Sequence, residues 1–409
     1  MAYKIAKIFL KLSRASVITV VSSGCAILEL SVFSSQLEIR VLGIVLAAQA
    51  TAALVSALGE GGFSLWIPQR LSASPTRQRL TAMVRYAIQI RLPLFLIQAL
   101  LTVLAARYTI VGWNQLGTTM MLSVAMSFSF GWILIATEQY TTIALIDGLC
   151  RISGLAAFLL IGIPSANAAL ACLAVSGLIQ SSIQLIVARK IGLLNAVPFP
   201  RLERRWPRLH AGHLAAYQSG LVQAIGRNVL PVTVGAVVTA SLASTALAAE
   251  KVSRAATGVV TAGLGYIMPM LGRSYKVGRL SSLYAAIGGI GITVAVATTL
   301  FLVMYARLSQ APLAQLFAGN HLLLAAAAAL TASKVMFSTT VYVRLLARGA
   351  YRLAARLLAG QALIAAAMAL TLRWTESVEL FMFGMFAFDL VLIVVAVQSE
   401  RTSANAAQR

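Results

Sequence analysis

Glu250, Lys251 and Arg254 stand inside the run Leu247–Arg273, LAAEKVSRAATGVVTAGLGYIMPMLGR, which is otherwise apolar enough to cross a bilayer. Charges at such depth are costly in hydrocarbon and face water, a partner or a substrate. Helical spacing puts Glu250, Arg254, Thr257, Thr261 and Gly265 on one face and Val252, Ala255, Val259, Tyr266 and Met270 on the other. One face suits lipid or packed protein, and the other suits a wet cavity. Arginine and lysine so placed can hold an anion, because phosphate oxygens accept charge-assisted bonds from them.

The other charges within apolar runs extend this set. Asp147 and Arg151 are four residues apart, as are Glu250 and Arg254, so each pair can neutralise itself across one helical turn. Arg91, Arg227 and Lys334 have no opposite charge within a turn, and Lys251 has Glu250 beside it. Glu29 and Asp389 are available to pair with some of these bases across helices. Two readings follow for the same residues. They are structural ion pairs between helices, or Arg91, Arg151, Arg227, Lys251, Arg254 and Lys334 form a cationic cavity that receives an anionic head group. Glu29, Asp147, Glu250 and Asp389 are then the candidates for ion coupling. Ser219, Gln223 and Arg227 recur every four residues on one helix, followed by Pro231. A helical proline cannot donate to the carbonyl four residues back, so a bend and a free acceptor are expected at Arg227.

The chain that must position these residues is 59% apolar and 11% charged over 409 residues, a membrane composition. The sequence predicts an all-α polytopic protein of twelve spans, near 15–36, 40–66, 82–106, 116–136, 143–163, 168–189, 214–239, 246–270, 281–305, 321–343, 353–372 and 378–398. The basic N-terminus leads into the first span with no clear cleavage site, and this span is expected to be retained. With the N-terminus inside, twenty-three Lys and Arg fall in inner segments and four (Arg40, Arg107, Arg307 and Arg373) in outer ones. That asymmetry places both termini in the cytoplasm and accounts for the net charge of +22 without nucleic acid. Cys25, Cys150 and Cys172 lie in apolar runs and are expected to be buried, inert thiols.

At an offset of 201, Leu46-Ala47-Ala48 matches Leu247-Ala248-Ala249, Gly62 matches Gly263 and Pro68 matches Pro269. This register equates span two with span eight in the same direction and predicts two like-oriented six-helix halves around a central cavity. The halves are 1–191 and 214–409, joined by a basic cytoplasmic segment, 192–213. That segment reads either as an interfacial helix on anionic lipid or as a solvated linker.

No outer loop on these boundaries exceeds about fifteen residues, and no Walker loop, HExxH or nucleophile elbow occurs. The three histidines, His210, His213 and His321, lie at span edges without an evident ligand set. No metal or cofactor is expected, and transport is expected rather than catalysis.

The run containing Glu250 resembles span eight of the polysaccharide (O-antigen type) flippases, where an A-E-K start leads to a P-x-L-x-R end, here Pro269 to Arg273. The run LGIVLAAQATAALVSALGEGGFSLWIPQRLS resembles their span two. The aromatic usual before A-E-K is missing, since Ala246 precedes Leu247. This family lies in the multidrug/oligosaccharidyl-lipid/polysaccharide exporter superfamily. The resemblance implies alternating-access flipping of undecaprenyl-diphosphate-linked oligosaccharide to the periplasmic leaflet of a bacterial inner membrane, for surface polysaccharide synthesis. It assigns Arg227, Lys251 and Arg254 to the diphosphate from one half and Arg91 and Arg151 from the other. Implied partners are the lipid-linked oligosaccharide, membrane lipids, and a polymerase or other assembly proteins. Rival expectations are a cation-coupled multidrug antiporter using Glu29 or Asp389, and a polymerase or ligase of the same pathway.

Overall fold

The computed structural model describes residues 21–63, 76–137, 139–194, 211–275, 296, 320–341 and 351–408; some side chains in the helices after 211 lie outside this description. The described elements are helices: α1 (21–36), α2 (Ile39–Glu60), α3 (Arg77–Tyr108), α4 (Leu116–Ser127), α5 (Gly131–Ala136), α6 (Tyr140–Ile161), α7 (Ala166–Lys190), α8 (Ala211–Val237), α9 (Ala240–Tyr275), α10 (His321–Thr340), α11 (Tyr351–Thr375) and α12 (Val378–Gln408). Among the described residues, eight helical segments are long and apolar enough to cross a membrane, with α4 and α5 in one of them. The architecture is all-α, as the periodicity predicts. The ninth expected span, 281–305, lies outside the described residues apart from residue 296.

The chain forms two compact units: Leu37–Ala240, and Met1–Gln36 with Ser241–Arg409. This partition differs from the halves 1–191 and 214–409, because α1 belongs with the C-terminal helices and α8 with the N-terminal ones. The causes are specific contacts. Ser23 Oγ of α1 donates to Ala255 O of α9 at 3.0 Å. Gly235 of α8 lies so close to α2 that a Cβ there would stand 2.9 Å from the Ala47 Cβ. Ile110 N, past the end of α3, donates to Gly235 O at 2.7 Å. Most of the joining segment, 195–210, lies outside the described residues.

In the first-named unit, α2 is buried around much of its circumference, from Leu42 and Val45 to Ala48, Ala52 and Val55. Its alanines let α3, α4 and α8 approach closely. It stops at Gly61, whose φ of +67° is a left-handed cap that glycine adopts without steric cost. His213, near the start of α8, ties that end down: its Nε2 donates to Gly61 O at 2.6 Å, and its Nδ1 lies 2.9 Å from Tyr86 Oη. In the other unit, Phe337, Val341, Ala354, Leu357 and Ala396 form a core joining α10, α11 and α12. Leu96, Leu100, Leu160 and Leu363 remain exposed on helix flanks, as residues facing lipid do.

The expected span 116–136 is one membrane-length segment interrupted at 128–130. The helix Ala211–Val237 contains Pro231 without ending there. The three cysteines are buried and form no disulfide among the described residues.

Candidate functional site: a charged cluster

Among the described residues, the densest set of charges lies within the unit of Met1–Gln36 and Ser241–Arg409 and draws on three helices. Helix α1 supplies Glu29, α9 supplies Glu250, Lys251 and Arg254, and α10 supplies Lys334. Glu250 and Arg254 are one turn apart and meet through a fork: Arg254 Nη2 donates to Glu250 Oε2 at 2.8 Å and Arg254 Nε to Oε1 at 3.2 Å. Lys334 Nζ reaches the same carboxylate at 3.2 Å. Lys251, one position along α9, turns to Glu29 at 2.7 Å. Among the described residues, three bases meet the carboxylates of Glu29 and Glu250 here, and Lys334 also attracts Asp389.

Depth separates the two signs. The Glu29 and Glu250 side chains are 8% and 7% exposed, whereas Lys334, Lys251 and Arg254 are 13%, 18% and 35% exposed. The bases therefore stand outermost in the cluster, Arg254 above all. The charged set sits on a helix packed on its other side. Val252, Ser253, Ala255 and Ala256 are buried, and Ser253 Oγ has no hydrogen-bond partner. The side chains of Val259, Thr261, Gly265, Tyr266 and Met270 lie outside the described residues.

Asp389 lies in the same unit, in α12, 1% exposed. It accepts from Gln361 Nε2 at 2.7 Å and Ser333 Oγ at 3.0 Å. It thus joins α10, α11 and α12, accepting from neutral groups, one of them Ser333, the neighbour of Lys334.

The N-terminal unit holds its charges differently. Arg91 of α3 is fully buried, with its guanidinium 5.3 Å from the centroids of both Phe63 and Phe130. Its Nη2 donates to Ser129 O at 3.3 Å, and its Nε and Nη1 have no hydrogen-bond partner among the described residues. Ser129 lies in the interruption between α4 and α5. That interruption is sealed by Gln184 of α7, whose Oε1 accepts from Phe130 N at 2.9 Å and from Ser129 Oγ at 3.4 Å. Gln184 Nε2 donates onward to Asp147 Oδ1 at 3.2 Å, and Gln180 Nε2 to the same oxygen at 2.7 Å. Arg151, its expected partner on α6, attracts Asp147 electrostatically, while the hydrogen bonds to Asp147 come from α7 glutamines. Nothing in sequence spacing within α6 foretells this; the signal was the pair Gln180 and Gln184, four apart on the next helix.

The sequence-derived set is therefore distributed over both units. Lys251, Arg254, Lys334, Glu29 and Glu250 come together, Asp389 adjoins them through the attraction of Lys334, and Arg91, Asp147 and Arg151 belong to the other unit. The Arg227, Ser219 and Gln223 side chains lie outside the described residues. Among the described residues no group of His, Cys, Asp and Glu could hold a metal ion.

No family model matches this sequence, and no curated protein matches it. Solved structures do. The inward-facing form of a multidrug resistance MATE family transporter of the MOP superfamily matches with a TM-score of 0.59 at 13% identity, over 95% of this chain and 98% of that one. A eukaryotic MATE transporter matches with a TM-score of 0.52 at 12% identity, over 98% and 99%. A MOP superfamily transporter from Pyrococcus furiosus matches with a TM-score of 0.52 at 14% identity, over 98% and 96%, and its structure is described by a binding pocket of reverse polarity that suggests a different function. The chain has the fold of MATE-like transporters, with about twelve helices.

Proposed function

We propose that this protein is a multi-pass membrane transporter that moves an anionic lipid-linked saccharide across the bilayer by alternating access. The fold supports the transport half of this reading, since the structures it resembles include inward- and outward-facing forms of one kind of transporter. The observation that carries the anionic half is the outward placement of the bases, with Arg254 the most exposed member of the cluster and Glu29 and Glu250 buried behind it. An organic cation would meet Arg254 first and be repelled, whereas a diphosphate would gain charge-assisted bonds. The resemblance to O-antigen type flippases supports undecaprenyl-diphosphate-linked repeat units as the substrate. It also supports a bacterial inner membrane as the location, with assembly proteins such as a polymerase as partners. The basic segments support cytoplasmic termini.

A cation-coupled multidrug antiporter is the second reading, favoured by Asp389, a buried carboxylate held by Gln361 and Ser333. A deletion strain separates the two. The flippase reading expects lipid-linked repeat units to accumulate on the cytoplasmic leaflet and surface polysaccharide to be lost. Normal polysaccharide with heightened sensitivity to cationic drugs would favour the antiporter. Repeat units that reach the periplasm but stay unpolymerised would favour a polymerase.

A further inference from the structure

We infer that Glu250 is an internal competitor for the phosphate of the anionic ligand, occupying its place on Arg254 and Lys334 until the ligand displaces it. The inference rests on the anion-binding reading of this cluster and concerns how that site is emptied and refilled.

The geometry is that of an oxyanion seat. Two guanidinium nitrogens of Arg254 approach the two oxygens of one carboxylate at 3.2 and 2.8 Å, and Lys334 adds an ammonium at 3.2 Å from a second helix. A planar fork with a point charge beside it is the donor set that grips two oxygens of a phosphate group. Here those donors are spent on a residue one turn away. Because Glu250 is tethered, its side chain returns to Arg254 whenever the fork is vacant. Exposure gives the order of events. Arg254 is the most solvent-accessible member of the cluster and Glu250 the least, so the ligand engages Arg254 first and displaces Glu250 from Lys334 second. Lys251 does not fill the gap, since it is committed to Glu29 at 2.7 Å.

A site occupied by its own carboxylate binds its ligand more weakly, by the fraction of time that the donors are free. It also releases ligand faster, because Glu250 retakes the fork. Both properties suit a transporter, which must let go on the far side. Glu250 on this view is a positioning residue that sets affinity and release.

The test uses the full chain in lipid nanodiscs with geranylgeranyl diphosphate and inorganic pyrophosphate as probes, comparing wild type, Glu250→Gln and Arg254→Gln. Glu250→Gln keeps the shape and one acceptor oxygen but removes the competing charge. It should bind the probe about tenfold tighter, the worth of one charged hydrogen bond, and release it correspondingly more slowly. Arg254→Gln should bind more weakly than wild type. Should Glu250→Gln fold poorly, Glu250→Asp serves instead: one methylene shorter, it leaves the fork and should tighten binding by a smaller factor. Wild-type binding with unchanged or weaker binding by both Glu250 variants overturns the inference while leaving the anion site standing. Absence of binding in wild type and Glu250 variants alike overturns the anion-site reading and this inference with it. Equal binding of the two probes identifies a phosphate group as sufficient, and binding of the prenyl probe alone identifies a lipid head group; both outcomes support an internal competitor when Glu250→Gln is the tighter protein.

Discussion

Lys251 Nζ lies 2.7 Å from Glu29 Oε1, a contact between residues 222 positions apart that fastens the first helix of the chain to α9. Both side chains are mostly buried, so each charge is stabilised by the other. Removing one member of such a pair strands the second, at a cost of about 3–5 kcal/mol, whereas replacing both is much milder. Lys251→Met should therefore lower membrane abundance and melting temperature, and Glu29→Gln with Lys251→Met should recover most of the loss. A double mutant no better than the single would dissolve the pair as a structural tie.

Arg91 carries the opposite expectation. Its charge is buried against Phe63 and Phe130 with one hydrogen bond and two idle nitrogens. Glu60, which attracts it electrostatically, is half-buried and accepts no hydrogen bond from the idle nitrogens. A buried charge so poorly compensated costs stability. Arg91→Met, of similar length and apolar, should melt at or above the wild-type temperature, with a gain of about 1–4 kcal/mol at most. If it also abolishes transport, Arg91 is retained for work rather than for folding. A clear drop in melting temperature would show instead that the charge holds this unit together.

Much of the fold is legible in local pattern, and the reasons for the exceptions are physical. Apolar run length marks the helices because a bilayer admits little else, and Glu250–Arg254 is legible because i and i+4 always meet on a helix. The interruption at 128–130 is not. Phe128-Ser129-Phe130 contains no proline or glycine, and the group that caps Phe130 N is Gln184, 54 residues away. Arg91 shows the same limit, since spacing reveals that it is alone on its turn but not that two rings enclose it. The pairing of Lys334 with Glu250 and of Lys251 with Glu29 depends on which helices are neighbours. So does the placement of α1 beside α9, which periodicity within a helix cannot encode.

Gln184 is the next test, because it serves three groups at once. It accepts from Phe130 N and Ser129 Oγ and donates to Asp147, and it is 1% exposed. Gln184→Leu keeps the volume and leaves a backbone N–H and a carboxylate oxygen short of partners. The expected loss is about 2–4 kcal/mol, one to two buried hydrogen bonds left open, read as a lower melting temperature and faster proteolysis of the α4–α5 segment. Unchanged stability would mean that the cap does not hold the interruption.

Topology can be checked independently of any substrate. The Lys and Arg asymmetry puts residue 274 inside and residue 309 outside. In a background lacking Cys25, Cys150 and Cys172, a membrane-impermeant maleimide should label Ser309→Cys in intact cells and spare Ser274→Cys. The reverse pattern would invert the whole arrangement.

Gly154 of α6 tests how closely two helices must approach. A Cβ at this position would stand 2.8 Å from the Ser176 Cβ, 2.9 Å from its Oγ and 3.3 Å from Cys172 O, all on α7. Contacts below 3.0 Å force a shift, and small residues at such crossings are what let membrane helices pack backbone to backbone. Gly154→Ala should therefore cost about 1–3 kcal/mol through overpacking, despite the better helix propensity of alanine. Two of the three close contacts belong to the Ser176 side chain, so Ser176→Gly should relieve most of the strain. The double mutant should be more stable than Gly154→Ala alone, with a coupling of about 1 kcal/mol or more between the two sites. Additive losses in that cycle would place the obstruction in the Cys172 backbone, and a stable single mutant would show that α6 and α7 do not cross this closely.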